Sequence, residues 1–214
     1  MPIIPIDQLG PAYCYLDPAS GRKETKNTNA RTAIVVACHA PPAFILTLYI
    51  WAERASTTDI TNQIFFINQQ FRPAKIAIET AGQQYLLFST IQDEAIRRGI
   101  KLPLVEGTQY TDSAKIERIT NALDPLTKQG RLCILSHQTN LKEELIDFPR
   151  GATKDILDAL SGVISIMPKP QTHHQATSSR QAVLDYLHRS HAIQPEETLR
   201  NIFPSLHTTP SLIH

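Results

Sequence analysis

The strongest constraint on this chain is a switch in hydrophobic period near Thr58. Before it, three apolar, β-branched runs follow one another: AYCYLDP, TAIVVACHA and FILTLYIWAERA. The polar stretch ASGRKETKNTNAR separates the first two, and Pro41-Pro42 separates the second and third. Runs of that length and composition are strands, and short breaks between them favour an antiparallel meander. After it, helical and strand-like segments alternate. TTDITNQIFFINQQF places Ile60, Ile64, Ile67 and Phe71 on one helical face, with Thr58 or Asp59 as the expected cap and Arg72-Pro73 as the stop. KIAIET then reads as a buried strand, QYLLFSTIQDEAIRRG as a helix stopped by Gly99, and IKLPLVEG as a strand that Pro103 confines to an edge. SAKIERITNALDPLTKQG is a third helix with an expected break at Asp124-Pro125. It precedes the strand-like RLCILS and two helical runs, LKEELIDF and DILDALSGVISIM. The order β-β-β-α-β-α-β-α-β-α-α predicts an α/β fold, a mixed sheet with antiparallel leading strands plus parallel strands, flanked by helices.

That pattern occupies residues 1–167, and 214 residues suit one domain with a real core and a tail. From Pro168 the composition turns to Pro, His, Ser and Thr, with one helical piece, SSRQAVLDYLHRS, in a tail spanning 168–214. Cys14, Cys38 and Cys133 are odd in number, far apart and set in apolar runs, as reduced buried thiols are. No apolar run approaches the roughly 20 residues that span a bilayer, and no signal peptide opens the chain, which points to the cytosol. A net charge of +1 leaves nucleic acid open as a partner, since only a local basic face is needed. Glycine loops of the phosphate-cradling kind are absent. Tyr13, Tyr15 and Trp51 fit a core, and His39 and His137 fit strand ends rather than ligands.

The acidic residues stand at informative places. Asp17 closes the first strand, Glu79 closes KIAIE, and Asp155 and Asp158 open the last regular helix. A carboxylate at the end of a buried strand is costly unless paired or bound to a cation. If the first strand lies beside the Glu79 strand, Asp17 and Glu79 face each other at one rim, and the last helix supplies a third carboxylate. Such a group suits Mg²⁺ or Mn²⁺, and two ions there suit phosphodiester cleavage. The same residues also satisfy a plainer reading, in which Asp17 starts an Asp-Pro turn, Glu79 is an exposed strand end and Asp155 caps a helix.

Four motifs in order then bring in a family. YLDPA, IAIETAGQQYLL, SAKIERITNALDPLTKQGRLCI and ELIDFPRGATKDILDAL together resemble the C-terminal nuclease domain of the large terminase subunit of tailed bacteriophages. The resemblance runs from Tyr13 to Met167. It implies an RNase H-like fold and a Mg²⁺- or Mn²⁺-dependent endodeoxyribonuclease that cuts concatemeric double-stranded viral DNA during genome packaging. Two metal ions would serve the hydrolysis. By the same resemblance, Asp17, Glu79 and Asp155 are the catalytic, metal-binding positions, with Asp158 a fourth ligand or an alternative to Asp155. Its implied partners are double-stranded DNA, the terminase ATPase domain, the small terminase subunit and the portal protein, in the cytoplasm of an infected or lysogenic bacterium. Arg22, Lys23, Lys26 and Arg31 form a basic loop suited either to gripping the DNA backbone or to a solvated hairpin. Lys115 and Arg118 share a helix face suited either to a phosphate or to solvent, and Lys154 lies beside Asp155. Two departures matter. Thr153-Lys154-Asp155 replaces a frequent His-Asp-Asp, and Asn29-Ala30-Arg31-Thr32 lacks an acidic residue that many relatives carry. Fewer carboxylates imply weaker metal binding and a preference for Mn²⁺. The alternatives are another RNase H-like nuclease of resolvase or integrase type, or a non-catalytic remnant that binds DNA or a portal.

Overall fold

A computed structural model describes residues 9–19, 31–41, 43–80, 84–107 and 112–168. Arg22, Lys23, Lys26 and the tail helix expected in SSRQAVLDYLHRS lie outside the described residues. The elements follow the expected order: β1 (Ala12–Asp17), β2 (Thr32–Ala40), β3 (Phe44–Glu53), α1 (Thr57–Phe71), β4 (Lys75–Glu79), α2 (Gln84–Arg98), β5 (Leu104–Gly107), α3 (Asp112–Lys128), β6 (Leu132–Cys133), α4 (Thr139–Asp147) and α5 (Asp155–Ile166). They build a six-stranded mixed sheet of order β5-β4-β1-β2-β3-β6. Strands β1, β2 and β3 form the antiparallel meander, while β4 joins β1, β5 joins β4 and β6 joins β3 in parallel.

Strand alternation decides which helices cover which face. Along β1, Ala12, Cys14 and Leu16 turn to one side, where they meet Ile60, Ile64, Ile67 and Phe71 of α1 and Leu87 and Ile91 of α2. Tyr13 and Tyr15 turn to the other side, against Ile119 and Leu123 of α3 and the apolar stripe of α5. The side chains under α5 from β2 and β4 are small or of middling size (Ala33, Val35, Ala37 and Ala77), so that helix lies close to the sheet. Gly162 marks the closest approach, for a Cβ there would sit 2.6 Å from the Tyr15 ring. Asp17 has the parity of Tyr13 and Tyr15, and Glu79 the parity of Ala77. Both carboxylates therefore leave the sheet on the α3/α5 face.

Local chemistry refines two boundaries. Ser56, not Thr58 or Asp59, is the N-cap of α1. It forms a capping box with Asp59, which sits at the third helical position and bonds back to the Ser56 backbone N–H. Helix α3 runs through Pro125 without the expected break. Proline there removes one hydrogen bond, and the carbonyl it would have used belongs to exposed Asn121, where water can serve it. Other expectations hold. Gly99 takes φ 65 after α2, Arg72 ends α1 in the left-handed region, and β5 is an edge strand. RLCILS contributes only the two residues of β6. All three cysteines are free and buried, and burial pushes the Cys133 thiol up to about 12. Trp51 is partly buried against the core, and the His39 ring nitrogen Nε2 lies 2.7 Å from the Pro168 carbonyl. No helix among the described residues is long and apolar enough to cross a membrane.

Candidate metal centre

Parallel pairing of β1 and β4 is what makes the site. Leu16 lies opposite Ile78, and the same register carries Asp17 to the side of Glu79 at the carboxyl rim of the sheet. Rims of this kind, where neighbouring strands leave in different directions, are where ligands bind in α/β sheets. Helix α5 passes over that rim and adds Asp158. One carboxylate oxygen each from Asp17, Glu79 and Asp158 lies within 4.8 Å of the other two, and each residue is buried, at 8%, 8% and 2% exposure. The plainer reading of Glu79 as an exposed strand end does not describe this geometry.

Burial and mutual repulsion govern the electrostatics. Desolvation raises the Asp17 carboxyl above its ordinary value, and the charge of Asp155 adds to the effect, against the pull of Lys115 and Arg118. Glu79 is pushed up to about 7, first by burial and then by the charge of Asp17. Its Oε2 is buried with no hydrogen-bond partner. Two cations already lean on the group from α3. The Lys115 ammonium lies 2.5 Å from Asp158 Oδ2 and 3.5 Å from Asp17 Oδ2, and the Arg118 guanidinium pairs with Asp158 Oδ1. The Arg118 side chain is 9% exposed, so this face of α3 is not a solvated one. Lys115 and Arg118 thus face carboxylates directly.

Asp155 has a different surrounding. As the first residue of α5 it accepts the Arg31 backbone N–H at 3.2 Å, and the Arg31 Nε lies 3.7 Å from the same oxygen. Asp158 is one turn deeper, about 4.5 Å along the axis, which brings it over the end of β1. The trio of close oxygens contains Asp158 rather than Asp155. Arg31, read from sequence as part of a DNA-gripping loop, also binds the Glu144 carboxylate at 2.7 Å and the Thr153 hydroxyl at 3.3 Å. Glu144 is a site residue that sequence reasoning missed. It is buried on α4 and accepts the backbone N–H groups of Ile156 and Leu157 at 3.0 and 3.1 Å, which holds the start of α5 in place. Its signal was there: Leu141, Glu144 and Leu145 share a helical face, and a carboxylate on such a stripe needs partners. Lys154 precedes α5 at the N-cap position.

The trio fits a hard divalent cation. Three carboxylates supply oxygen donors, and a bound cation would remove the repulsion that raises Glu79 and would satisfy its unpartnered Oε2.

No protein-family model and no curated protein matches the chain. Solved structures do. The HK97 bacteriophage large terminase aligns with a TM-score of 0.53 at 16% identity, over 77% of this chain and 41% of that one. The P22 large terminase nuclease domain aligns with a TM-score of 0.50 at 12% identity, over 72% of this chain and 79% of that one. Thermus thermophilus RuvC matches more loosely, with a TM-score of 0.40 at 12% identity, over 72% and 91% of the two chains. The fold is thus the RNase H-like α/β fold expected from the sequence. The chain spans less than half the length of the HK97 protein.

Proposed function

We propose that this chain is a divalent-cation-dependent DNA endonuclease of the terminase large-subunit type. The observation that carries the reading is the buried trio Asp17, Glu79 and Asp158, with the unpartnered Glu79 Oε2, at the carboxyl rim of an RNase H-like sheet. A terminase subunit is favoured because the HK97 and P22 terminases align with TM-scores of 0.53 and 0.50. The four sequence motifs point the same way.

Asp17, Glu79 and Asp158 would hold the cation, Mg²⁺ or Mn²⁺. When bound, it would supply a Lewis acid for the phosphate and lower the pKa of an attacking water. The chain itself binds and orients. Arg118 braces Asp158, and Glu144 and Arg31 fix the start of the helix that carries it. Asp155, kept beside Arg31, adds negative charge near Asp17 without sharing its oxygens. Arg22, Lys23, Lys26 and Lys154 would meet the DNA backbone through salt-sensitive phosphate contacts. By the same resemblance, the terminase ATPase domain, small subunit and portal would be its partners in packaging.

A supercoiled-plasmid assay with Mg²⁺ or Mn²⁺ tests this, with linear duplex and four-way junction DNA as parallel substrates. Cleavage of plain duplex that disappears in Asp17→Asn, Glu79→Gln and Asp158→Asn is the expected result. Cleavage confined to the junction would move the chain to the resolvases. No cleavage with either metal, or cleavage unchanged in the three variants, would reject the nuclease.

A further inference from the structure

The cations that α3 brings to the trio bear on how many metal ions the site can take. Lys115 places its ammonium between Asp17 and Asp158, at 3.5 and 2.5 Å, and Arg118 covers the second oxygen of Asp158. Glu79 Oε2, by contrast, is buried and unpartnered. We propose that this centre holds a single divalent cation among Asp17, Glu79 and Asp158, and that the Lys115 ammonium stands where a second ion would sit. The inference rests on the cation-binding part of the proposed function and departs from the two ions expected by resemblance.

Two independent features lead here. The first is ligand supply. A second ion would need carboxylates beyond the trio, and among the described residues the two acidic groups next to it are already engaged. Asp155 accepts the Arg31 N–H and faces its guanidinium. Glu144 spends one oxygen on the Ile156 and Leu157 N–H groups and the other on Arg31.

The second feature is charge. Three carboxylates facing Lys115 and Arg118 carry one net negative charge. One divalent ion turns that to one positive, which a DNA phosphate can balance. A second would leave three positive charges in a site whose acidic residues are at most 8% exposed, where repulsion is poorly screened. To enter, it would have to push the Lys115 ammonium off Asp158. The side chain is long and 26% exposed, so the displaced arrangement is open to test.

The test counts ions and needs no substrate. The chain is titrated with Mn²⁺, free Mn²⁺ is read by electron paramagnetic resonance, and Lys115→Gln and Lys115→Arg are run beside it. The expected counts are one Mn²⁺ in the unmodified chain, one in Lys115→Arg and two in Lys115→Gln. The first ion in Lys115→Gln should bind about tenfold or more tightly, because a positive charge has left its side. Two Mn²⁺ in the unmodified chain, or one in Lys115→Gln, would overturn the role of Lys115 and leave the metal centre standing. No Mn²⁺ in any of the three would overturn both.

Discussion

Gly162→Ala tests the packing that brings Asp158 to the rim. In an ordinary helix interior this substitution would add up to about 1 kcal/mol of stability through helix propensity. Here the new Cβ would stand 2.6 Å from two Tyr15 ring carbons and 2.7 Å from a third, against 3.4–4 Å for ordinary contact. Tyr15 is 1% exposed and has no space to swing into. Helix α5 must therefore lift by roughly 1 Å. Overpacking of this kind costs about 1–3 kcal/mol, and the upper half of that range is expected because the obstacle is a flat ring on a central strand. The propensity gain offsets part of it, which leaves a net loss of about 1–2 kcal/mol, or roughly 2–8 °C in Tm for a chain of this size. Asp158 lies one turn before Gly162, so the same lift draws its carboxylate from Asp17 and weakens Mn²⁺ binding. Urea unfolding and Mn²⁺ titration measure the two effects. Adding Tyr15→Leu should recover part of both losses, since the two residues are in contact and their effects should not add. A Gly162→Ala protein as stable as the parent, or a double variant whose losses simply sum, would refute this account of how α5 is seated.

Three further outcomes are expected. Burial and the charge of Asp17 lift Glu79 from 4.5 to about 7. Its contribution to metal-free stability is thus fully present below about pH 4.5 and is lost as pH rises through about 7, a change of at most roughly 3 kcal/mol. Glu79→Gln in the presence of a chelator should flatten that slope and be more stable than the parent at pH 8, as thermal melts at pH 5 and pH 8 will show; equal slopes would contradict it. Glu144→Ala strips the acceptor from two backbone N–H groups and a partner from Arg31, and should cost about 2–3 kcal/mol in urea unfolding. Asp158→Asn should weaken Mn²⁺ binding in calorimetry far more than Asp155→Asn, because Asp158 alone of the pair shares the close oxygens.

How far the sequence was legible follows from the range of each signal. Strand and helix periods are local, so the element order and the edge position of the Pro103 strand could be read directly. The placing of Asp17 beside Glu79 needed one non-local fact, that β1 and β4 are parallel neighbours, which the sequence offered only as a condition. The choice between Asp155 and Asp158 was not accessible. Both open α5, and what separates them is Arg31, 124 residues away from Asp155 in sequence, taking the first aspartate. A shorter but still non-local separation hid the pairing of Lys115 and Arg118 with Asp158, which on a bare helix face looks like a solvated or phosphate-binding pair. Arg31 looked like part of a basic loop because its partners, Glu144 and Asp155, come from the far end of the fold.

The central claim is that Asp17, Glu79 and Asp158 together hold a divalent cation. A crystal soaked in Mn²⁺ and measured at the manganese absorption edge tests it most directly. The account predicts an anomalous peak in contact with oxygens of all three carboxylates, with Asp155 still on Arg31. No peak at millimolar Mn²⁺, or a peak held by Asp155 and Glu144 instead, would contradict it.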